Sequence, residues 1–173
     1  MDEIKRSVEY SVKRSQALRN CESHIADILW KATQKVVAAS KRYRGAGRLT
    51  NESALLSYAK NVTAEAEEDI EKYISAYSKA SCKILSIDSE NTDEFLKGDI
   101  YGLTAKERNT AYLANFAEDI VRMIKAGTLM NYTDQQLLSS IRTSYKDPYK
   151  SSVVTKAQKK DINIATPSYG KGY

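Results

Sequence analysis

The sequence has few of the residues that interrupt helices. Of its 173 residues only seven are glycine and two are proline, and both prolines, Pro148 and Pro167, lie near the C-terminus. Proline breaks helices, and an all-β fold needs many turns, so this scarcity favours long helices over a sandwich or barrel. We therefore predict an all-α fold.

Long apolar runs are also lacking. No stretch approaches the roughly 18 apolar residues that a membrane-spanning helix needs. Charges are spaced through the N-terminal segment, where a secretory signal would have an apolar core. Hydrophobic residues make up 42% of the chain and charged residues 28%, as in ordinary globular proteins. We predict synthesis in the cytoplasm and no membrane partner.

Residues that carry enzyme chemistry are scarce. His24 is the only histidine, and Cys21 and Cys82 are the only cysteines. Cys21 and His24 could supply two metal ligands, but a structural zinc site needs four, and only Cys82 remains as a soft ligand. A disulfide between the cysteines is open to the chain, but a helical protein does not need one, so we predict free thiols. We predict no catalytic residue, no metal and no cofactor.

Apolar residues at three- and four-residue steps predict two long helices. The first stripe thins between Val12 and Ile25, which leaves open one long, weakly anchored helix or two helices with a break near Asn20. Its members are Ile4, Val8, Ile25, Leu29, Ala32, Val36, Ala39 and Tyr43. The second stripe follows two good N-cap residues, Thr50 and Asn51. Its steps are typical of a helical hairpin or bundle, and its members are Leu55, Ala59, Val62, Ala66, Ile70, Tyr73, Tyr77, Ala80 and Ile84.

Two capping boxes predict a shorter pair of helices, a helix-turn-helix arrangement. Thr104 with Glu107, and Thr133 with Gln136, have the spacing at which the two residues satisfy each other's backbone donors. We expect Gly127 to be the C-cap of the first of these helices. The apolar face of the first helix consists of Leu113, Phe116, Ile120 and Ile124, and that of the second of Leu137, Leu138, Ile141 and Tyr145.

Charge is distributed unevenly around a net value of +5. Residues 1–44 carry ten Lys/Arg against five Asp/Glu, residues 87–103 five acids against one lysine, and residues 146–173 six lysines against two aspartates. We therefore predict a long helical hairpin over 1–86, an acidic connection over 87–103, a shorter helical pair over 104–145, and an irregular, extended basic tail over 146–173. Such a tail attracts nucleic acid or an acidic protein surface, or is simply solvated.

Lysines and tyrosines alternate in this tail, and aromatic rings among cations can stack on bases or anchor in a protein interface. We predict partner or nucleic-acid contacts through Lys150, Lys156, Lys159, Lys160, Lys171, Tyr149 and Tyr169. The first helix offers an alternative basic surface, with Lys5, Arg6, Lys13, Arg14 and Arg19. No recognition-helix motif accompanies either group, so no sequence specificity is predicted.

The C-terminal half carries a series of short motifs. They begin with Tyr101-Gly-Leu-Thr-Ala-Lys-Glu-Arg108, end with Pro167-Ser-Tyr-Gly-Lys-Gly-Tyr173, and include between them Asn115, Ile120, Ala126-Gly127, Tyr132-Thr133, Leu137 and Ile141-Arg142. Through these motifs residues 99–173 resemble phage minor head proteins of the Mu F-like head morphogenesis family. The turn from Gly127 to Thr133 is longer than the family's usual form. The final motif looks like the entry to the family's next, characteristic domain, so we expect an N-terminal helical region truncated before that domain.

The resemblance implies a structural component of a phage head, present in few copies and associated with the portal and the capsid interior. It implies portal or other capsid proteins as partners and packaged DNA contacted through the basic ends, and a second copy of the chain is a further candidate partner. The location would be the virion, after synthesis in the host cytoplasm. The family has no catalytic residue in this region, so no enzyme activity is expected. The alternative is a nonspecific nucleic-acid-binding helical protein.

Overall fold

Helices make up nearly all of the structure. The structure, a computed structural model, describes residues 2–85, 97–99, 101–146 and 153–160. Its α-helices in these ranges are α1 (Asp2–Ser40), α2 (Glu52–Glu65), α3 (Glu67–Ile84), α4 (Ala105–Leu129), α5 (Asp134–Lys146) and α6 (Val153–Gln158). A 3-10 helix (Lys41–Tyr43) follows α1 and leads into a short antiparallel hairpin of β1 (Arg44–Gly45) and β2 (Arg48–Leu49). The predicted all-α fold is confirmed.

The chain forms two compact units, each made of two stretches of sequence. The first comprises residues 1–29 and 66–110, and the second comprises residues 30–65 and 111–173. The second unit contains most of the fully buried side chains. Burial of each of its large aliphatic side chains contributes about 1.5–3 kcal/mol to folding, and the largest are Val36, Val37, Leu55, Ile120, Met123, Ile124, Leu137 and Ile141.

α1 is one uninterrupted helix, so the first of the two arrangements left open by the sequence is the one observed. Burial along this helix begins at Cys21 and continues through Ala32 and Val36. The predicted stripe also included Ile4 and Val8, and for these two residues the prediction is wrong. Their side chains are 73% and 58% exposed, because no element in the described part of the chain covers this end of α1.

The second predicted stripe is divided between α2 and α3. Asn51 is the N-cap of α2, since its Oδ1 accepts a hydrogen bond of 3.0 Å from the backbone N–H of Ala54. The two helices are separated at Ala66, which nevertheless keeps helical dihedral angles of −80° and −13°. The carbonyl of Ala66 accepts a hydrogen bond from the N–H of Ile70, so the chain passes from α2 to α3 with little change in backbone conformation.

Both predicted capping boxes are present. At the start of α4, the backbone N–H of Thr104 donates to Glu107 Oε2 at 2.8 Å, and the N–H of Glu107 donates to Thr104 Oγ1 at 3.2 Å. At the start of α5, the N–H of Thr133 donates to Gln136 Oε1 at 2.9 Å, and the N–H of Gln136 donates to Thr133 Oγ1 at 3.3 Å. Each box satisfies two backbone donors that a helix start leaves without intrahelical partners.

The C-terminus of α4 differs from the prediction, which made Gly127 its C-cap. Asn131 takes the left-handed conformation there, with a φ of 57°. The N–H of Tyr132 donates to the carbonyl of Gly127 at 2.9 Å, and that of Asn131 to Thr128 at 3.0 Å, which together make a Schellman motif. Gly127 lies inside the helix instead, where a Cβ atom would overlap with Leu137 Cδ2. The glycine is required for close helix packing, while asparagine tolerates the left-handed turn.

An ion cluster joins the β-hairpin to the start of α5. Asp134 accepts hydrogen bonds from Lys41 Nζ at 2.8 Å and from the guanidinium of Arg44. Burial alone would raise the pKa of Asp134, but the hydrogen bonds and positive charges of Lys41 and Arg44 outweigh it and lower that pKa. The side chain of Arg44 is only 15% exposed, and this carboxylate compensates its largely buried positive charge.

Part of the segment predicted as an extended tail is helical. α6 covers Val153–Gln158, and its Ala157 is fully buried. A helix of six residues is too short to show an apolar periodicity in the sequence, which is why it was not predicted. No helix in the described part of the chain is long and apolar enough to cross a membrane.

Candidate functional site

Three of the predicted tail residues lie together at the end of α6. Lys156, Lys159 and Lys160 are exposed, and the N–H of Lys160 donates to the carbonyl of Ala157 at 2.9 Å. The four residues share about one helical turn, so the buried Ala157 fixes the backbone from which the three lysines project. None of the three forms an ion pair with another described residue. We call this group the α6 lysine cluster.

The other predicted contact residues fall outside the described residues. They are Lys150, Lys171, Tyr149 and Tyr169. The aromatic component of the predicted tail site therefore remains a prediction. The lysine component alone provides a concentrated positive charge, which attracts phosphate or carboxylate groups without selecting a sequence.

The alternative basic surface on α1 is less concentrated. Its five basic residues are all exposed: Lys5, Arg6, Lys13, Arg14 and Arg19. At about 100° per residue, they point in several directions around the helix. Glu9 lies four positions from both Lys5 and Lys13, where it reduces the positive field on that side. α1 thus has no continuous basic face of the kind that tracks a nucleic-acid backbone.

The same segment of α1 exposes large apolar side chains, and sequence reasoning missed this feature. Ile4 is 73% exposed, Val8 58%, Val12 50% and Leu18 40%. Single exposed apolar residues are common on protein surfaces, but a contiguous row is typical of an interaction site. The only signal in the sequence was the thinning of the first stripe between Val12 and Ile25, which marks where burial of α1 begins.

The side chains with possible catalytic or metal-binding chemistry serve packing in the first unit. His24 stacks on Tyr73, with ring centroids 4.4 Å apart, and its Nδ1 lies 2.7 Å from the carbonyl oxygen of Asn20. Cys21 Sγ donates to the backbone carbonyl of Tyr73 at 3.5 Å. Burial, and secondarily the charge of Glu22, raise the pKa of the Cys21 thiol, so it is protonated at neutral pH.

The described residues likewise contain no group of side chains arranged to bind a metal ion. Over residues 2–85, 97–99, 101–146 and 153–160, no three His, Cys, Asp or Glu side chains are grouped as metal ligands. No disulfide joins Cys21 and Cys82. The chemistry of the described surface is therefore that of charge and apolar contact, concentrated in the α6 lysine cluster and the first part of α1.

Comparison with known proteins gives no match. No family model matches the sequence, and no curated protein and no solved structure is significantly similar to it.

Proposed function

We propose that this chain is a structural component of a phage head, a minor head or morphogenesis protein that acts by contacting other proteins and packaged DNA. The family resemblance of residues 99–173 suggests this class, with portal or other capsid proteins as partners. The proposal places the chain in the virion, after synthesis in the host cytoplasm. It assigns no catalytic step to any residue.

The observation that carries the proposal is the exposed start of α1. From Glu3 to Gln16 every residue is exposed, and the apolar side chains among them contribute nothing to the core of the described chain. Removing apolar surface from water contributes about 25 cal/mol per Å². The apolar surface of this helix is not buried within the described chain, so it is available to stabilise contact with another protein.

Composition of the virion tests the proposal. Heads of the phage that encodes this chain would be purified by density gradient and analysed by quantitative mass spectrometry, with DNA-filled and empty heads separated. We expect the chain in both fractions at a few copies per head, far below the major capsid protein. Its absence from both fractions would contradict a structural role in the head.

The α6 lysine cluster supports a second candidate function, nonspecific nucleic-acid binding. Each phosphate neutralised by a cation contributes about −0.9 to the slope of log K against log salt for duplex DNA. Replacing Lys156, Lys159 and Lys160 together by glutamine should therefore reduce the slope by up to about 2.7. Substitution is preferable to deletion of the segment, because deletion would also remove the buried Ala157.

A matched triple variant makes this measurement specific. Lys31, Lys79 and Lys83 are also exposed and lie on α1 and α3, away from α6 in the sequence. Their replacement by glutamine lowers the net charge by the same amount and should leave the slope unchanged. Equal slopes for all three proteins, or equal reductions in both variants, would exclude the α6 lysine cluster as a DNA site.

A further inference from the structure

The exposed start of α1 has the geometry of one half of a helix–helix interface. At steps of four, three, four and three residues, five exposed side chains form a line along the helix, which is the spacing of core positions in a coiled coil. We call this line the N-terminal seam, and it consists of Ile4, Val8, Ser11, Ser15 and Leu18. The stripe that continues from Cys21 is buried, so the seam begins where packing inside the chain stops.

We infer that the N-terminal seam docks against a helix of another protein that carries acidic residues beside its own apolar seam. The inference rests on the proposed function, since it names the partner that the exposed helix would bind. Three features of the segment support it. The residues that border the seam are basic, pairing of two copies would bring like charges together, and an open groove lies beside the seam.

The borders of the N-terminal seam are basic. The positions that flank a coiled-coil core on one side are occupied by Lys5, Val12 and Arg19, and on the other by Ser7 and Arg14. All three cations are exposed and none forms an ion pair with a described residue. Charges at these flanking positions select the partner of a helix.

The acidic residues of the segment leave the borders of the seam basic on balance. The described acidic side chains here are those of Glu3 and Glu9, and both project from the outer positions of the heptad. They therefore do not border the seam. A partner with glutamate or aspartate at its flanking positions would face Lys5, Arg14 and Arg19, whereas a basic partner would be repelled.

The same charges disfavour a second copy of this chain as the partner. In a parallel pair, Arg14 of one helix would lie beside Arg19 of the other, since flanking positions contact each other across five residues. In the antiparallel pair that packs Val8 of each helix against Leu18 of the other, Lys5 would lie beside Arg19. Both arrangements bring like charges together twice, so the border of the seam selects against self-pairing.

The surface beside the seam can receive the ridge of a partner helix. Ser7, Ser11 and Ser15 form a row at four-residue steps, and with Val8 and Val12 they line an open groove of about 390 Å³. Rows at this spacing form the ridges of a helix surface, and the side chains of a neighbouring helix pack into the grooves beside them. The small serines allow the helix axes to approach closely, while the valines provide the apolar contact.

Two synthetic peptides test the inference against the whole chain. Both are four-heptad helices with leucine at the core positions, and they differ only in having glutamate or lysine at all flanking positions. Like charges disfavour homodimers of either peptide, so each is available to bind. By fluorescence anisotropy at low salt, we expect the glutamate peptide to bind at least about tenfold more tightly than the lysine peptide, with the difference shrinking as salt is added.

Variants of the chain locate the binding. Val8→Asp places a charge in the seam and should abolish binding of the glutamate peptide. Arg14→Glu combined with Arg19→Glu should reverse the preference, so that the lysine peptide binds more tightly. Lys13→Glu, an exposed change on the opposite side of the helix, is the control and should leave the preference intact. Because these residues are exposed, circular dichroism should show the fold of all variants unchanged.

Each other outcome overturns the inference. Equal binding of the two peptides, or none, would mean that the borders of the seam do not select an acidic helix. Self-association in sedimentation that Val8→Asp removes would mean that a second copy covers the seam. A chain found in phage heads that fails with the peptides loses only this inference, whereas a chain that binds the glutamate peptide but is absent from heads loses only the proposed function.

Discussion

Replacement of Gly127 by alanine tests the close packing of α4 and α5. A Cβ atom at position 127 would overlap with Cδ2 of Leu137 and lie 3.4 Å from Cδ2 of Tyr132. Carbon atoms in contact are normally separated by about 3.5–4.0 Å. Leu137 is fully buried, so its side chain is surrounded by other atoms and cannot move out into solvent.

Two opposing effects determine how much Gly127→Ala changes the free energy of unfolding. Overpacking of a well-packed core destabilises by about 1–3 kcal/mol. Alanine inside a helix is favoured over glycine by about 1 kcal/mol, because glycine loses more backbone freedom on folding. We therefore expect Gly127→Ala to lower the free energy of unfolding by about 1 kcal/mol and Tm by roughly 3 °C.

The same substitution in a Leu137→Ala background separates the two effects. Removing the leucine side chain costs about 2–5 kcal/mol by itself, but it also removes the atom that the new Cβ would meet. There Gly127→Ala should stabilise by up to about 1 kcal/mol, since only the helix-propensity gain remains. Urea unfolding followed by circular dichroism gives all four free energies of the cycle. If Gly127→Ala has the same sign in both backgrounds, the close approach of the two helices at this point is not as described.

Two further predictions concern charged contacts. Asp134→Asn should lower the free energy of unfolding by about 1–2 kcal/mol in urea, because it leaves the mostly buried Arg44 without its carboxylate. Lys41→Gln should lower it by less, because that lysine is exposed. Equal effects of the two substitutions would contradict the role given to Arg44. Hydrogen bonds from the backbone and side chain of Thr104 lower the pKa of Glu107 below its ordinary 4.5. The ionised Glu107 side chain therefore stabilises the fold fully above pH 4.5, and this stabilisation is lost as the pH falls through the lowered pKa. The carboxyl titration of Glu107, followed by NMR, should move part of the way up to the ordinary value in Thr104→Ala, because that variant loses the hydroxyl donor and keeps the backbone N–H. An unchanged midpoint would exclude the Thr104 hydroxyl as a cause.

The features of the fold that were predictable from the sequence depend on local patterns. Capping by Thr104 and Glu107 needs only two residues three positions apart, and the N-cap at Asn51 needs only one residue before an apolar stripe. These signals act within one helical turn. They are therefore legible in the sequence before any tertiary contact is known.

Contacts between distant residues were not predictable in this way. Arg44 and Asp134 are separated by 90 positions, and Lys125 and Glu52, whose charged groups lie 2.6 Å apart, by 73. No local pattern indicates which charges will meet. The same limit explains the error at Gly127, where both a C-cap and a close helix contact call for glycine, and only the position of Leu137 distinguishes them.

The candidate site likewise has one part that the sequence indicated and one part that it did not. Clustering of lysines in the last segment was evident from composition, and the three that the structure describes, Lys156, Lys159 and Lys160, are exposed. The N-terminal seam was not evident, because periodicity reports that Ile4 and Val8 lie on one side of a helix without reporting whether anything covers that side. An apolar stripe reserved for a partner has the same pattern as one buried in the core.

The rigidity of this seam follows from the helix to which it belongs. α1 is 39 residues long, and from Cys21 onward one face of it is packed in the protein, with Ala32, Val36 and Val37 buried. Starting a helix is the unfavourable step, whereas adding residues to an existing helix is close to neutral or favourable for good helix formers. The packed part of α1 supplies that start, and no glycine or proline interrupts the residues before it. The exposed segment can therefore remain helical without contacts of its own, so a partner meets a surface already formed and the loss of conformational entropy on binding is small.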